Sequence, residues 1–359
     1  MKLQLYILRQ LLVSFTFAAA GMFFIALPGI AVAAVHKLPN TDTLVLLHYI
    51  PLVLQSLAPY VLPISFLLAV VATYGRLAAD NEWTSIQMAG LRPLLMLTPA
   101  LALAAVLGSV TYWMVSSELP NIHKREKQYI IDAARRALTN IAPGLTDIQM
   151  GDFSLHAAYR DDDPATGAAI FREVLIHKPG GDDGREIKVF ADTARLDFSE
   201  DVLSIRLTQV RPVDEGFAAE VGFMELEYRL ADYLERREKR YSGIRYRTTA
   251  MLRDALASTT DEKLANAYQY EIHHRYSMAA AFVMFLGLGA STGLLLRRGT
   301  QLGALAVSVG YALVYYIMSM RVGKQLGRSG VLPPEIGAWA TIAFGCLAGV
   351  ILLRKALRR

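Results

Sequence analysis

The chain has 359 residues, of which 53% are hydrophobic and only 19% charged, with a mean hydropathy of +0.31; an ordinary soluble chain carries about a quarter charged residues. Its net charge of +5 is spread unevenly: residues 118–275 hold 23 basic and 28 acidic residues, and the rest holds 14 basic against four acidic, Asp42, Asp80, Glu82 and Glu335. The basic excess therefore flanks apolar segments, where it sets membrane topology rather than binding nucleic acid, and the single cysteine, Cys346, excludes an intramolecular disulfide framework.

In chain order, six uncharged apolar stretches reach the roughly 20 residues needed to cross a bilayer core: Leu11–Val35, Leu44–Gly75, Pro93–Ser117, Tyr276–Leu296, Gly299–Met320 and Ile336–Leu353. The first follows Lys2 and Arg9 and contains Ala31-Val32-Ala33, an A-x-A-like cleavage pattern. Its length exceeds a signal-peptide core of about 7–15 residues, so a retained span is expected. At its end stand His36 and Lys37. A snorkelling lysine and a contact to an anionic lipid head group are both open for that pair.

Between the second and third stretches lies Arg76-Leu-Ala-Ala-Asp80-Asn81-Glu82-Trp83-Thr84-Ser85-Ile86-Gln87-Met88-Ala89-Gly90-Leu91-Arg92. Asp80 or Asn81 can cap a helix, Glu82 suits its positive end and Gly90 can stop it. Trp83, Ile86 and Gly90 then share a face. Two readings stand: an interfacial helix anchored in lipid by Trp83, or a docking helix for a cytoplasmic partner.

The polar insert between the third and fourth stretches reads as strands flanked by helices over Ile122–Leu138 and Thr259–Tyr276, which would extend those two spans. Thr259-x-x-Glu262 offers a capping box for the second of these helices. Leu203–Thr208 alternates as a half-buried strand should. Ile187, Val189 and Ala191 share one face, then Ala194, Leu196 and Phe198 take over, which implies a bulge or bend; Phe217–Tyr228 flips similarly. Turn residues at Asp161–Pro164, Gly180–Gly184 and Asp214–Gly216 separate these runs. The expectation is a small antiparallel sandwich or jelly-roll.

With the N-terminus inside, the cytoplasmic short loops carry Lys2, Arg9, Arg76, Arg92, Arg297, Arg298, Arg354, Lys355, Arg358 and Arg359. The opposite loops carry Lys37, Arg321, Lys324 and Arg328. That asymmetry places both termini in the cytoplasm and the insert outside. The architecture expected is six transmembrane helices, three and three, around a periplasmic β domain. Its parts are residues 1–117 with a cytoplasmic helix at about 78–90, 118–275, and 276–359. Gly289-x-x-x-Gly293, Gly299-x-x-x-Gly303 and Gly345-x-x-x-Gly349 allow close helix approach, within the chain or between subunits.

No G-x-x-x-x-G-K-[ST], H-E-x-x-H or G-x-S-x-G pattern occurs, so the chain carries no P-loop, zincin or serine-elbow chemistry of its own. The adjacent His273 and His274 point to different helix faces rather than to one metal. The spans hold almost no ionisable group, His48 near a span end excepted, which argues against an ion-coupled carrier. No metal or cofactor is expected.

Leu62-Pro63-Ile64-Ser65, running through Tyr74-Gly75-Arg76-Leu77-x-x-Asp80-Asn81-Glu82-Trp83-Thr84 to Ala89-Gly90, resembles the second span and following cytoplasmic helix of the lipopolysaccharide-export permease family of the LptF/LptG type. Phe190-Ala191-Asp192-Thr193-Ala194, Glu271-x-x-His274-Arg275 and Leu332-Pro333-Pro334 fit in their places, and the resemblance runs the length of the chain. It implies a non-enzymatic permease subunit of an ABC transporter in the bacterial inner membrane. Such a permease pairs with a second homologous permease on a dimeric cytoplasmic ABC ATPase. It extracts lipopolysaccharide or a related glycolipid and passes it to a periplasmic bridge protein. Carried onto this sequence, Asp80, Glu82, Trp83, Ile86 and Gly90 belong to the ATPase-coupling helix, Trp83 and Ile86 giving apolar contact, and His36 and Lys37 meet lipid phosphates. The competing reading is a non-transporting, membrane-anchored assembly protein whose β domain binds a partner.

Overall fold

In lipid a backbone must satisfy its own hydrogen bonds, and a run of Leu, Val, Ala and Phe without ionisable side chains can do so within one segment only as a helix. The computed structural model describes residues 2–37, 43–139, 146–150, 153–162, 169–178, 187–199, 202–212, 221–229, 243–296 and 301–357. Among these, six helices are long and apolar enough to cross a membrane: Lys2–Val35, Leu47–Ala79, Thr98–Ile130, Glu262–Leu295, Gly303–Ser329 and Pro334–Leu357. They are the six expected spans, and the chain is a multi-pass membrane protein. Arg297 and Arg298 lie outside the described residues.

The first two spans are α1 (Lys2–Lys37) and α2 (Thr43–Ala79). The short α3 (Glu82–Met88) follows. The third span is α4 (Thr98–Trp113), a π-helical turn over Met114–Glu118, and α5 (Leu119–Thr139), so the helix expected at Ile122–Leu138 is the continuation of that span. After α6 (Thr249–Ser258), the helix expected at Thr259–Tyr276 and the fourth span are one element, α7 (Glu262–Leu295). Its cap differs from the expected box at Thr259. Asp261 is the N-cap, its carboxylate accepting from the Lys263 and Leu264 amides; a carboxylate one residue ahead of the helix reaches both free N–H groups. The fifth span is α8 (Gln301–Tyr316), a second π-helical stretch over Ile317–Gly323, and α9 (Lys324–Ser329); the sixth is α10 (Pro334–Leu357).

Two compact units emerge: Met1–Ile30, Pro51–Lys124 and Arg240–Arg359 form one, and Ala31–Ile50 with Arg125–Lys239 the other. In the first, α7 is the most deeply packed span. Phe282 and Phe285 are fully buried, and Phe66 of α2 meets Phe282 with ring centroids 5.5 Å apart. A Cβ added at Gly293 would stand 2.7 Å from the Gly75 amide nitrogen of α2. One added at Gly349 of α10 would stand 3.2 Å from the Gly287 carbonyl carbon. The spacings Gly289-x-x-x-Gly293 and Gly345-x-x-x-Gly349 therefore pack helices within this chain, Gly293 and Gly349 against backbone and Gly289 and Gly345 against the side chains of Val70 and Met284. Gly299 lies outside the described residues.

In the second unit, β1 (Thr146–Met150), β2 (Phe153–Asp162), β3 (Ala169–Lys178), β4 (Ile187–Ser199), β5 (Val202–Pro212) and β6 (Val221–Arg229) form one six-stranded sheet in sequence order. Every neighbouring pair is antiparallel. The β insert is as expected, and its connectivity over the described strands is a meander rather than the Greek-key crossings of a jelly-roll. Connections of at most eight residues keep successive strands side by side. The turn residues from Asp163 to Pro164, Gly180 to Gly184 and Asp214 to Gly216, and the run 217–220, lie outside the described residues.

The expected change of face in β4 is present and extends across the sheet. Val189, Ala191 and Ala194 are buried, as are Phe171, Val174 and Ile176 of β3 and Ile205, Leu207 and Val210 of β5. No residue is inserted, because Val174↔Ala191 and Arg172↔Thr193 keep one register on either side of Glu173. The flip instead comes at left-handed residues, Glu173 (φ 54°) and Gln209 (φ 53°), on either side of Asp192.

Candidate functional site

The loop between the second and third spans is built from the end of α2 upward. Arg76 O accepts from the Asp80 amide at 2.9 Å and Ala78 O from the Asn81 amide at 3.3 Å, which closes the helix. Asn81 then turns left-handed at φ 58°, a conformation its short amide side chain tolerates. It stands at the N-cap of α3, although the side chain makes no capping hydrogen bond; its carbonyl accepts from the Ser85 amide and hydroxyl, each at 3.0 Å. At the other end the Ala89 amide returns to Ser85 O and the Gly90 amide to Gln87 O. Gly90 at φ 79° ends the helix, in a conformation that costs glycine nothing.

The helix presents two distinct faces. Trp83 is only 4% exposed; its indole stands edge-on to the fully buried Tyr74 of α2, centroids 6.1 Å apart, and the Tyr74 hydroxyl donates to Met96 O at 2.8 Å. Ile86 packs against the same core. Nearly all of the Trp83 surface is therefore used inside the chain, where it holds α3 against α2. Asp80, Ser85, Met88 and Gly90 face out. Met88 is 78% exposed, and Leu91 and Leu94 beyond it are exposed as well. An exposed Met is an adaptable apolar contact.

Glu82 is half-buried at the start of α3, and Tyr6 of α1 donates its hydroxyl to the two carboxylate oxygens, 3.2 Å from each. Around this contact Gln4 Nε2 donates to Thr98 Oγ1 at 3.4 Å, and Ile7 and Leu11 are fully buried in the core that holds Trp83 and Met96. Sequence reasoning did not find Tyr6. It lies 76 residues from Glu82 in a segment read only for its basic charge, and no local signal marks it. Met88 was passed over as one apolar residue among many.

His36 and Lys37 are the last two residues of α1; their side chains lie outside the described ones, so the structure does not join them to the loop residues. In the same unit the Tyr49 hydroxyl donates to Glu126 Oε1 at 2.7 Å, both groups buried, and the Tyr49 and Tyr129 rings stack at 6.0 Å.

The Glu271-x-x-His274-Arg275 run occupies a second polar site in the N-terminal half of α7. Arg275, nearly inaccessible, lies 3.5 Å from Glu271 and donates to Thr249 Oγ1 at 3.0 Å and Arg247 O at 2.9 Å. Arg328 of α9 reaches the other Glu271 oxygen at 3.6 Å. His274 stacks on Tyr270, whose hydroxyl donates to Ser319 O at 2.7 Å in the π-helical stretch. His273 turns instead to Trp339 and Glu335 of α10. Through Glu271, His274 and Arg275, these contacts bind α6, α7 and the end of the fifth span together, the buried charges held by pairing.

A family model described as lipopolysaccharide export system permease LptF/LptG matches residues 5–355. No curated protein matches the chain.

Proposed function

The chain belongs to the lipopolysaccharide export system permease family LptF/LptG, and from that membership we propose that it is one permease of an ABC exporter that lifts lipopolysaccharide, or a related glycolipid, out of the inner membrane. A separate dimeric cytoplasmic ATPase drives it, a second homologous permease completes the pathway, and a periplasmic bridge protein receives the lipid through the β domain. An amphiphile with several acyl chains is held in a bilayer by about 0.8 kcal/mol per buried CH₂, so its extraction needs an energy source, and this sequence has no P-loop to supply one.

The observation that carries the reading is the build of the Asp80–Gly90 loop. A seven-residue helix is too short to persist alone. Here Trp83 and Ile86 clamp it to the bundle and the left-handed Asn81 and Gly90 fix its ends, so that Asp80, Met88 and the outer edge of Glu82 stand ready for a partner. In this reading Trp83 anchors the coupling helix and Met88 gives the apolar contact. His36 and Lys37 are assigned to the lipid phosphates, and the insert to the periplasm.

Glu82→Arg is expected to leave the protein inserted in the membrane while its ATPase no longer co-purifies and export stops. An unchanged yield of ATPase with this variant would overturn the coupling assignment. Lys37→Glu should weaken photo-cross-linking to lipopolysaccharide while leaving the ATPase bound.

A further inference from the structure

The first ten residues of α1 and the docking helix α3 form one mechanical piece. Ile7 and Leu11 share a core with Trp83, Tyr74 and Met96. Gln4 holds Thr98 at the start of α4, and Tyr6 holds both oxygens of Glu82. Farther along, Thr73 Oγ1 donates to Ser14 Oγ at 3.4 Å. Beyond that the helix turns outward: Phe17, Phe24 and Ile25 are all more than 70% exposed, and a Cβ added at Gly21 would meet nothing within 4 Å. Span one is thus gripped at the end that carries the docking helix and only lightly held along its middle.

The Tyr6–Glu82 contact is the member of this grip that involves a charged group. A carboxylate offers about four lone-pair positions. The tyrosine hydroxyl takes the side facing α1, which leaves the outer side for a basic group of a docked protein. The hydroxyl proton is shared between the two oxygens, 3.2 Å from each, and so links α1 to α3 through an ionised acceptor.

We propose that Tyr6 is a positioning residue of the exporter: through Glu82 its hydroxyl ties α3 to α1, so that each displacement of the docking helix is carried into span one. This rests on the reading of α3 as the ATPase-docking helix. Without the hydroxyl, the ATPase still docks, but its stroke is no longer handed to span one.

The test is Tyr6→Phe, which removes one oxygen from a partly exposed ring and keeps the ring's packing. The full complex, purified from native membranes and reconstituted in proteoliposomes with lipopolysaccharide, is compared with wild type. Retention of the ATPase is scored along with lipid delivered per ATP hydrolysed. Spin labels at Phe17→Cys and Leu101→Cys in a Cys346→Ser background report the distance from span one to span three with and without nucleotide. The expected result is a retained ATPase, a several-fold fall in lipid delivered per ATP, and loss of the nucleotide-dependent change in label distance. A general packing defect would not remove the nucleotide response while sparing docking. Unchanged delivery and unchanged label response overturn the proposal, and so does loss of the ATPase from Tyr6→Phe, which would make Tyr6 a docking residue. A wild-type complex that retains no ATPase defeats instead the docking reading on which the proposal stands.

Discussion

Helices α1 and α7 are nearly the same length, 36 and 34 residues, and both cross the membrane, yet the apolar stretch of the first is largely exposed and that of the second largely buried in the bundle. Apolarity does not separate them, since lipid tails are as apolar as Leu and give helices no hydrophobic reason to associate. Small residues and polar groups do. The glycines of α7 bring its backbone onto α2 and α10, and its N-terminal half carries Glu271, His274 and Arg275 among partners. Gly21 and Gly29 of α1 face open space, and a Cβ at either would touch nothing. One helix is the post of the bundle; the other is attached chiefly at one end.

The comparison can be broken at several points. The largest effect is expected from Arg275→Met, which takes one of its two arginines from the largely buried Glu271 and the donor from the Arg247 carbonyl and Thr249 hydroxyl, at a cost of about 3–5 kcal/mol, as for other buried charges that lose a partner. Thermal melting of the purified protein in detergent measures it, and a loss under about 1 kcal/mol would mean that the cluster does not hold α7 in place. Next comes Gly293→Ala. Its Cβ meets backbone, which cannot swing aside as a side chain can, so α7 and α2 must separate at about 1–3 kcal/mol. The smallest effect is expected from Gly21→Ala, within about 0.5 kcal/mol of wild type, as for substitutions away from packed features. If Gly21→Ala melted as early as Gly293→Ala, the midpoint of α1 would be as tightly packed as α7 and the contrast would fail.

Much of this architecture was legible because hydropathy and periodicity belong to one segment at a time. The six spans, the helical extensions at both ends of the insert and the change of face within β4 are such properties. Gly90 could be read as a helix stop because its partners lie within five residues. What needed two distant segments was hidden. Trp83 looks alike in sequence whether its indole meets lipid, a partner or Tyr74; the structure puts it against Tyr74. The Tyr6–Glu82 and Glu271–Arg328 contacts join residues 76 and 57 positions apart, and no local pattern encodes them. The cap at Asp261 was missed for a different reason: Thr259 and Asp261 both satisfy capping chemistry, and only the backbone path selects between them.

The left-handed residues of the sheet bear on how this domain can change over time. Glu173 and Gln209 stand at one level on either side of Asp192, and at that level the strands on both sides turn their buried face over together. A strand that lost or gained one residue on either side of this line would put its charged side chains inward against neighbours that had not moved. Single-residue length changes within β3, β4 or β5 are therefore closed to a lineage unless all three shift at once. Variation in length is left to the connecting loops, where the sheet keeps no count.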